Sequence, residues 1–425
     1  EMKLQITMLS VFIILSVSAN SFAQFDLGEK IKKKVERKIE HETDKAIDKG
    51  IDETTDAVKN SGKAEDKEKE SAGNNKEIEN SRNESDESNS SGINETKKEL
   101  KLWSKYDFVP GDKVIFEDNL SGEESGEFPS RWDLTSGSAE NASLGNDNVI
   151  HLVHNNTIIF PLMEKEDFLP DVFTIEFDVY FERLADRRSD IYKIRFFKGT
   201  NNVIKLKGGK KQYSIDISWN QVKMGNLGGK TASFREEKKN WVPKWKHIAI
   251  SFNKRSIKLY MNEERLLNIP NLGYKPEMFS IGANFDDRFI KMSLIKNIRV
   301  NEGGKNLYDR IMADGKFVTH GILFEINKAE INAKSMGTIN EIIKLMKKYP
   351  DLKFSIEGHT DSDGEESFNQ ELSEERAGSV KNLLVELGID ASRLKTKGWG
   401  ESKSLNNNST PEEKANNRRV EFIRI

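Results

Sequence analysis

Phe173-Thr174-Ile175-Glu176-Phe177-Asp178-Val179-Tyr180-Phe181 alternates from its first residue to its last. Side chains of an extended strand point to opposite faces in turn, so Phe173, Ile175, Phe177, Val179 and Phe181 share one face. Thr174, Glu176 and Asp178 share the other, and the reading is a strand with its apolar side on a core and its carboxylates on an outward polar face. Much of 213–219, 247–252 and 257–261 alternates in the same way, with Gly, Asn, Asp and Pro between the runs. Many short strands with no helical period between them predict an all-β antiparallel sandwich over residues 102–300.

Upstream of this region the composition changes twice. Lys3, the apolar run 6–17 and Ser21-Phe22-Ala23 predict a signal peptide over 1–23, with cleavage before Gln24. The run falls short of the roughly 20 apolar residues that a membrane span needs. Residues 24–59 carry Ile31, Val35, Ile39, Ile47, Ile51 and Val58 at helical spacings among Lys and Glu, a charged amphipathic helix. Residues 60–101 are Ser, Asn, Glu and Lys with almost no large apolar side chains. Such a segment cannot bury enough surface to offset chain entropy, and it reads as a disordered linker.

Downstream, 301–314 reads as a connector, and 315–425 has a different rhythm. Strand patterns at 316–318 and 321–324 precede a helical run with Ile331, Ile339, Ile342, Ile343 and Met346, stopped by Pro350. A strand at 353–358 leads to a second helix marked by Phe368, Leu372, Val380, Leu383, Leu384 and Leu387 and ended by Gly388. Strands at 395–398 and 419–423 complete a β-α-β-α-β-β order. That order predicts an α+β domain with two helices packed on one face of a mixed sheet. A chain of 425 residues is in any case too long for one core, so a multidomain architecture is expected.

Composition excludes several function classes. With 67 basic against 70 acidic residues the net charge is -3, so there is no basic field to attract nucleic acid. There is no cysteine, hence no disulfide, no thiolate metal ligand and no residue for lipid attachment. His359 has no second His or Cys at a metal-ligand spacing, and no metal or cofactor is expected.

The chemistry-bearing stretch is Gly358-His359-Thr360-Asp361, followed by Asn369, Leu372-Ser373 and Arg376-Ala377. It sets one carboxylate at a strand end and one guanidinium on the next helix, fifteen positions later. Arg376 lies four positions from both Leu372 and Val380, on a largely apolar helix face where a guanidinium needs a partner. Spacing alone leaves two readings open: an internal ion pair between Asp361 and Arg376, or a site that grips a zwitterion.

Further motifs stand in order around this stretch. They are Phe324-Glu325-Ile326-Asn327-Lys328-Ala329-Glu330-Ile331, Gly388-Ile389, Gly398-Trp399-Gly400-Glu401 and Asn417-Arg418-Arg419-Val420-Glu421. With them, residues 315–425 resemble the OmpA-like peptidoglycan-binding domain family. The resemblance implies that Asp361 takes the ammonium of the diaminopimelate zwitterion and that Arg376 forks onto its carboxylate. It also places Thr360 and Asn369 at the pocket, with Arg419, or Arg418 in its stead, as a third contact. It implies a non-enzymatic, noncovalent tether to peptidoglycan, exported to the cell envelope, periplasmic or outer-membrane associated.

The sheet region carries a second resemblance. Trp245-Lys246-His247-Ile248-Ala249-Ile250-Ser251-Phe252 and Ile257-Lys258-Leu259-Tyr260-Met261-Asn262-Glu263-Glu264 resemble the hairpin of laminin-G-like and concanavalin-like jelly rolls, with Glu263 where a Gly is usual. A glycan or protein ligand for this surface stays open. Concanavalin-like glycosidases use a close set of carboxylates, and Glu176, Asp178 and Glu182 invite the comparison. Retaining hydrolysis needs two carboxyls about 5 to 5.5 Å apart, whereas 176 and 182 on one strand lie roughly 20 Å apart. Glycan hydrolysis on the sandwich is therefore disfavoured, and it stands as the alternative to plain binding. A transmembrane barrel is disfavoured because runs such as 183–193 are charged on both faces.

Overall fold

The computed structural model describes residues 106–182, 191–198, 213–225, 231–233, 242–303 and 307–425, apart from 287, 289 and 291. The signal peptide, charged helix and linker expected over 1–101, and the charged run 183–190, lie outside the described residues. So does part of the connector.

Alternation along β6 (Val172–Phe181) does what its period predicts. Phe173, Ile175, Phe177, Val179 and Phe181 are each buried in one apolar core. β6 pairs on one side with β11 (Lys244–Asn253) and on the other with β15 (Leu294–Glu302), both antiparallel. The sheet extends through β12 (Ser256–Met261) and β13 (Glu264–Ile269) at one end. At the other end lie β4 (Asp147–Leu152) and β3 (Ala139–Leu144), while β1 (Lys113–Asp118) pairs with β15 alone.

A second antiparallel sheet runs in the order β10 (Thr231–Ser233), β9 (Gln221–Met224), β8 (Tyr213–Ser218), β7 (Ile191–Phe197), β14 (Met278–Asn284), β5 (Ile158–Pro161) and β2 (Trp132–Ser136). The two sheets meet face to face through aromatic pairs. Phe173 lies 6.3 Å from Phe196, Phe181 lies 5.5 Å from Tyr192, and Phe116 meets Trp132 edge-on at 5.5 Å. The expected antiparallel sheets are therefore present in this region.

The C-terminal domain has a four-stranded sheet in the order β16 (Lys316–Thr319), β19 (Val420–Arg424), β17 (Phe354–Gly358) and β18 (Leu394–Gly398). β17 and β18 are parallel and the other pairs antiparallel, so the sheet is mixed as expected. Helices α2 (Met336–Lys348) and α3 (Glu366–Glu386) supply the apolar layer on it.

Three details differ from the sequence reading. The connector contains helix α1 (Leu307–Asp314), whose Ile311 is fully buried. The strand expected at 321–324 is only a single bridge between Phe324 and Ile331. A short helix α4 (Pro411–Asn417) precedes β19, because Thr410 caps it, Pro411 opens it, and Glu412 and Glu413 sit in its first turn.

The sheet region and the C-terminal domain share buried surface. Tyr106 and Phe108 lead into β1 and pack with Ala249 and Tyr260 on one side and with Ile311, Met336 and Ile339 on the other. Gly337 permits this contact, since a Cβ there would lie 1.7 Å from the Phe108 carbonyl oxygen. Alongside, the Asn416 side chain of α4 accepts from Val114 N at 3.0 Å and donates to Val114 O at 2.9 Å, covering part of the free edge of β1. Among the described residues no helix is long and apolar enough to cross a membrane.

Candidate functional site

Two glycines bring the site together. A Cβ on Gly358, the last residue of β17, would lie 2.2 Å from the Ser373 carbonyl oxygen, and one on Gly398 would lie 2.5 Å from Glu374 N. Without them α3 would be held away from the ends of β17 and β18. Here α3 instead carries Asn369, Ser373 and Arg376 up to the loop that follows β17. That loop is pinned by His359 N donating to Arg419 O at 3.1 Å and Thr360 N donating to Gly400 O at 2.9 Å.

Asn369 spends its amide on shape. Its Nδ2 donates to the carbonyls of Asp361 and Asp363, at 3.3 and 3.1 Å, and to Glu401 Oε2 at 2.8 Å. Asp363 is paired with Lys414 at 2.7 Å. Thr360 is buried beside the key carboxylate, with no hydrogen bond at its hydroxyl.

The ion pairing differs from the one that the sequence suggested. Asp361 pairs with Arg418 and not with Arg376. Arg376 donates from Nε to the Lys328 carbonyl at 3.0 Å and lies 5.0 Å over the Phe324 ring. Burial lowers its pKa, with the Asp361 carboxylate opposing from a distance. The internal Asp361–Arg376 bridge is thus not formed, and both groups face the same end of the domain with opposite charge.

Arg419 is used internally. Its Nε donates to Glu421 at 2.6 Å, and its other nitrogens donate to the carbonyls of Asn417 and Lys403. Arg418, the substitute considered from sequence, is the one that reaches Asp361.

Arg418 also reaches the sheet region. Its Nη2 donates to Glu117 of β1 at 3.0 Å, and Glu117 takes Arg299 of β15 on its other oxygen. Burial works to raise the pKa of Glu117, but the two guanidiniums prevail and hold it below the ordinary carboxylate value. Neither Glu117 nor Arg299 belongs to any motif, so sequence reasoning had no signal for them. β-Sheet pairing sets Arg299 opposite both Glu117 and Glu176.

A cavity of about 120 Å³ opens between these groups, lined by Arg299, His320, His359, Arg376, Arg418 and Arg419 among others. Both histidines are buried, and burial pushes each pKa down to about 4. They therefore fold neutral, and unfolding between pH 4 and 6.5 takes up protons. Stability is complete above pH 6.5 and falls as pH drops towards 4, by about 3 kcal/mol for each histidine. Urea midpoints at pH 7.5 and 5.0 are expected to differ accordingly, with the lower midpoint at pH 5.0. Replacing either histidine by Asn should reduce the difference, and an unchanged difference would show that it arises elsewhere.

Glu176 and Asp178 are not on an open polar face. They point away from the sheet core as expected, but the C-terminal domain covers them and they are 6% and 4% exposed. Asp178 takes Lys334 of the C-terminal domain at 2.9 Å, His247 at 2.7 Å and Asn297 at 2.8 Å. These cations and donors outweigh burial and hold its pKa far below the usual carboxylate range, the reverse of what a proton-donating acid needs. His247 also lies 3.4 Å from Glu176, while Glu182 at the strand end accepts from Met292 N at 3.1 Å.

The motif series, its strand-end carboxylate and its helix guanidinium coincide with a match of residues 323–418 to the OmpA family. This stretch is an OmpA family domain. Over 101 residues the chain is 41% identical to outer membrane porin F of Pseudomonas aeruginosa, covering 24% of this chain and 29% of that protein. Over 103 residues it is 37% identical to the probable lipoprotein YiaD of Escherichia coli, covering 24% and 47%. The chain thus spans less than half the length of either relative. Among solved structures, the peptidoglycan-associated lipoprotein of Burkholderia pseudomallei is similar at 21% identity and a TM-score of 0.23, over 24% of this chain and 88% of that one. The OmpA domain holds Thr360, Asp361, Asn369 and Arg376, and its match closes at Arg418, one residue before Arg419.

Proposed function

We propose that the OmpA domain binds peptidoglycan noncovalently by gripping the free end of a diaminopimelate stem peptide. Asp361 receives the ammonium and Arg376 the carboxylate. The single observation that carries this reading is that the two residues sit at one end of the domain without neutralising each other, Asp361 turned to Arg418 and Arg376 to the backbone carbonyls of Lys328 and Glu325. A half-buried guanidinium held by two backbone carbonyls and a ring, with no carboxylate on it, retains its capacity for a bidentate carboxylate. Thr360 adds a buried hydroxyl beside Asp361, and Asn369 fixes the loop that carries it.

The chemistry is that of a tether and involves no bond making. Its place is the cell envelope, in keeping with the outer-membrane and lipoprotein names of its relatives. The sheet region, with its laminin-G-like hairpin, is the module held to the wall.

The reading is tested by calorimetric titration of the full chain with two stem tripeptides, one ending in meso-diaminopimelate and one in lysine. Lysine keeps the ammonium and lacks the carboxylate. Charge-assisted hydrogen bonds contribute about 1.5–3 kcal/mol, so the diaminopimelate peptide should bind roughly 10- to 150-fold more tightly. Equal affinity for the two, or no binding of either, would overturn it.

A further inference from the structure

We infer that the wall-ligand pocket is built by both regions of the chain, with Arg299 of the sheet region receiving the ligand's carboxylate together with Arg376 of the OmpA domain. This inference rests on the peptidoglycan reading above and adds to it a binding residue outside the OmpA domain.

The cavity beside Arg376 is closed on one side by β15, from which Arg299 enters it. Arg299 commits Nη2 to Glu117 and is at the same time one of the residues that line the cavity. The cavity holds about 120 Å³, room for roughly four groups of water size. That suits the head of one amino acid and excludes a sugar ring with its substituents.

A second observation points to a ligand there. His359 is 4% exposed, and neither ring nitrogen has a hydrogen-bond partner. His320, equally buried, donates from Nε2 to the Asn416 carbonyl at 3.1 Å, which leaves Nδ1 as an acceptor with nothing to accept. Buried polar atoms are nearly always satisfied, so unfilled ones lining a cavity mark where a partner belongs. The lining therefore presents guanidinium donors for a carboxylate and an imidazole acceptor for an N–H. An amino-acid head group carries both on one carbon.

Glu117 holds the arrangement together. By taking Arg299 and Arg418 on its two oxygens it keeps like charges side by side at the cavity wall. The sheet region is on this account a wall of the site as well as its cargo.

The test compares the full chain and its Arg299→Lys variant against the diaminopimelate tripeptide and the same peptide with the side-chain carboxylate amidated. Lysine at 299 keeps a cation for Glu117 and loses the planar fork. The variant is expected to bind the free acid about tenfold more weakly and the amide within about twofold of wild type, a coupling that a merely structural role would not produce. Arg299→Ala, checked for an intact fold by circular dichroism, should show the same selective loss. If both variants bind acid and amide as wild type does, or lose both equally, the inference falls while the OmpA-domain reading stands. If the wild-type chain binds neither peptide, the reading and the inference fall together.

Discussion

Asp361→Ala is expected to abolish measurable binding of the diaminopimelate stem peptide. The carboxylate is 8% exposed and already neutralises Arg418, so its loss does more than delete one contact. The ligand's ammonium would then approach Arg376 and Arg418 with no negative charge between them. Truncating one partner of a buried, hydrogen-bonded charge pair costs about 2–5 kcal/mol or more, some 30- to several-thousand-fold in affinity. Asp361→Asn keeps the size and one acceptor and should fall between Ala and wild type. Arg376→Ala should lose the carboxylate with a similar penalty. Calorimetry on the full-length variants, with melting curves to confirm folding, decides the matter. Wild-type affinity in Asp361→Ala would assign the ammonium to another group.

Glu117→Ala should produce the largest loss of stability outside the apolar cores. It leaves Arg299 and Arg418 facing each other with their shared counter-ion removed. Breaking a buried ion network by deleting one member costs about 3–5 kcal/mol. For a unit of this size that corresponds to a fall in Tm on the order of 5–10 °C. Glu117→Gln should lose less, since the amide oxygen still accepts from one guanidinium. A Tm within a degree of wild type for Glu117→Ala would mean that water screens this junction, and that the sheet region and the OmpA domain depend on Tyr106 and Phe108 for their contact.

The second prediction concerns a junction that no local pattern announced. Period-two alternation made β6 legible because every second side chain meets the same core, and Phe173 to Phe181 behave accordingly. The apolar periods of α2 and α3 were legible for the same reason. Thr410-Pro411-Glu412-Glu413 also carried a signal, a cap followed by Pro and an acidic first turn, but α4 spans seven residues and has no apolar stripe to draw attention to it. Glu176 and Asp178 read as solvent-facing because alternation tells which side of a sheet a residue is on and not what lies beyond it. Arg418 and Arg419 are neighbours of identical chemistry, and only the twist of the chain into β19 decides which one meets Asp361.

The two main helices and the strands around them in the C-terminal domain, its OmpA motifs, the opposed charges of Asp361 and Arg376 and the apolar face of β6 were determined by sequence alone. Each depends on residues close in the chain or on a motif that preserves their order. Tertiary structure alone decided that Asp361 pairs with Arg418, that Glu117 and Arg299 join the site, and that the carboxylates of β6 lie beneath a second domain. Those facts depend on side chains up to about 300 positions apart, such as Glu117 and Arg418, and contacts at such separation are set by how whole faces pack rather than by any spacing along the chain.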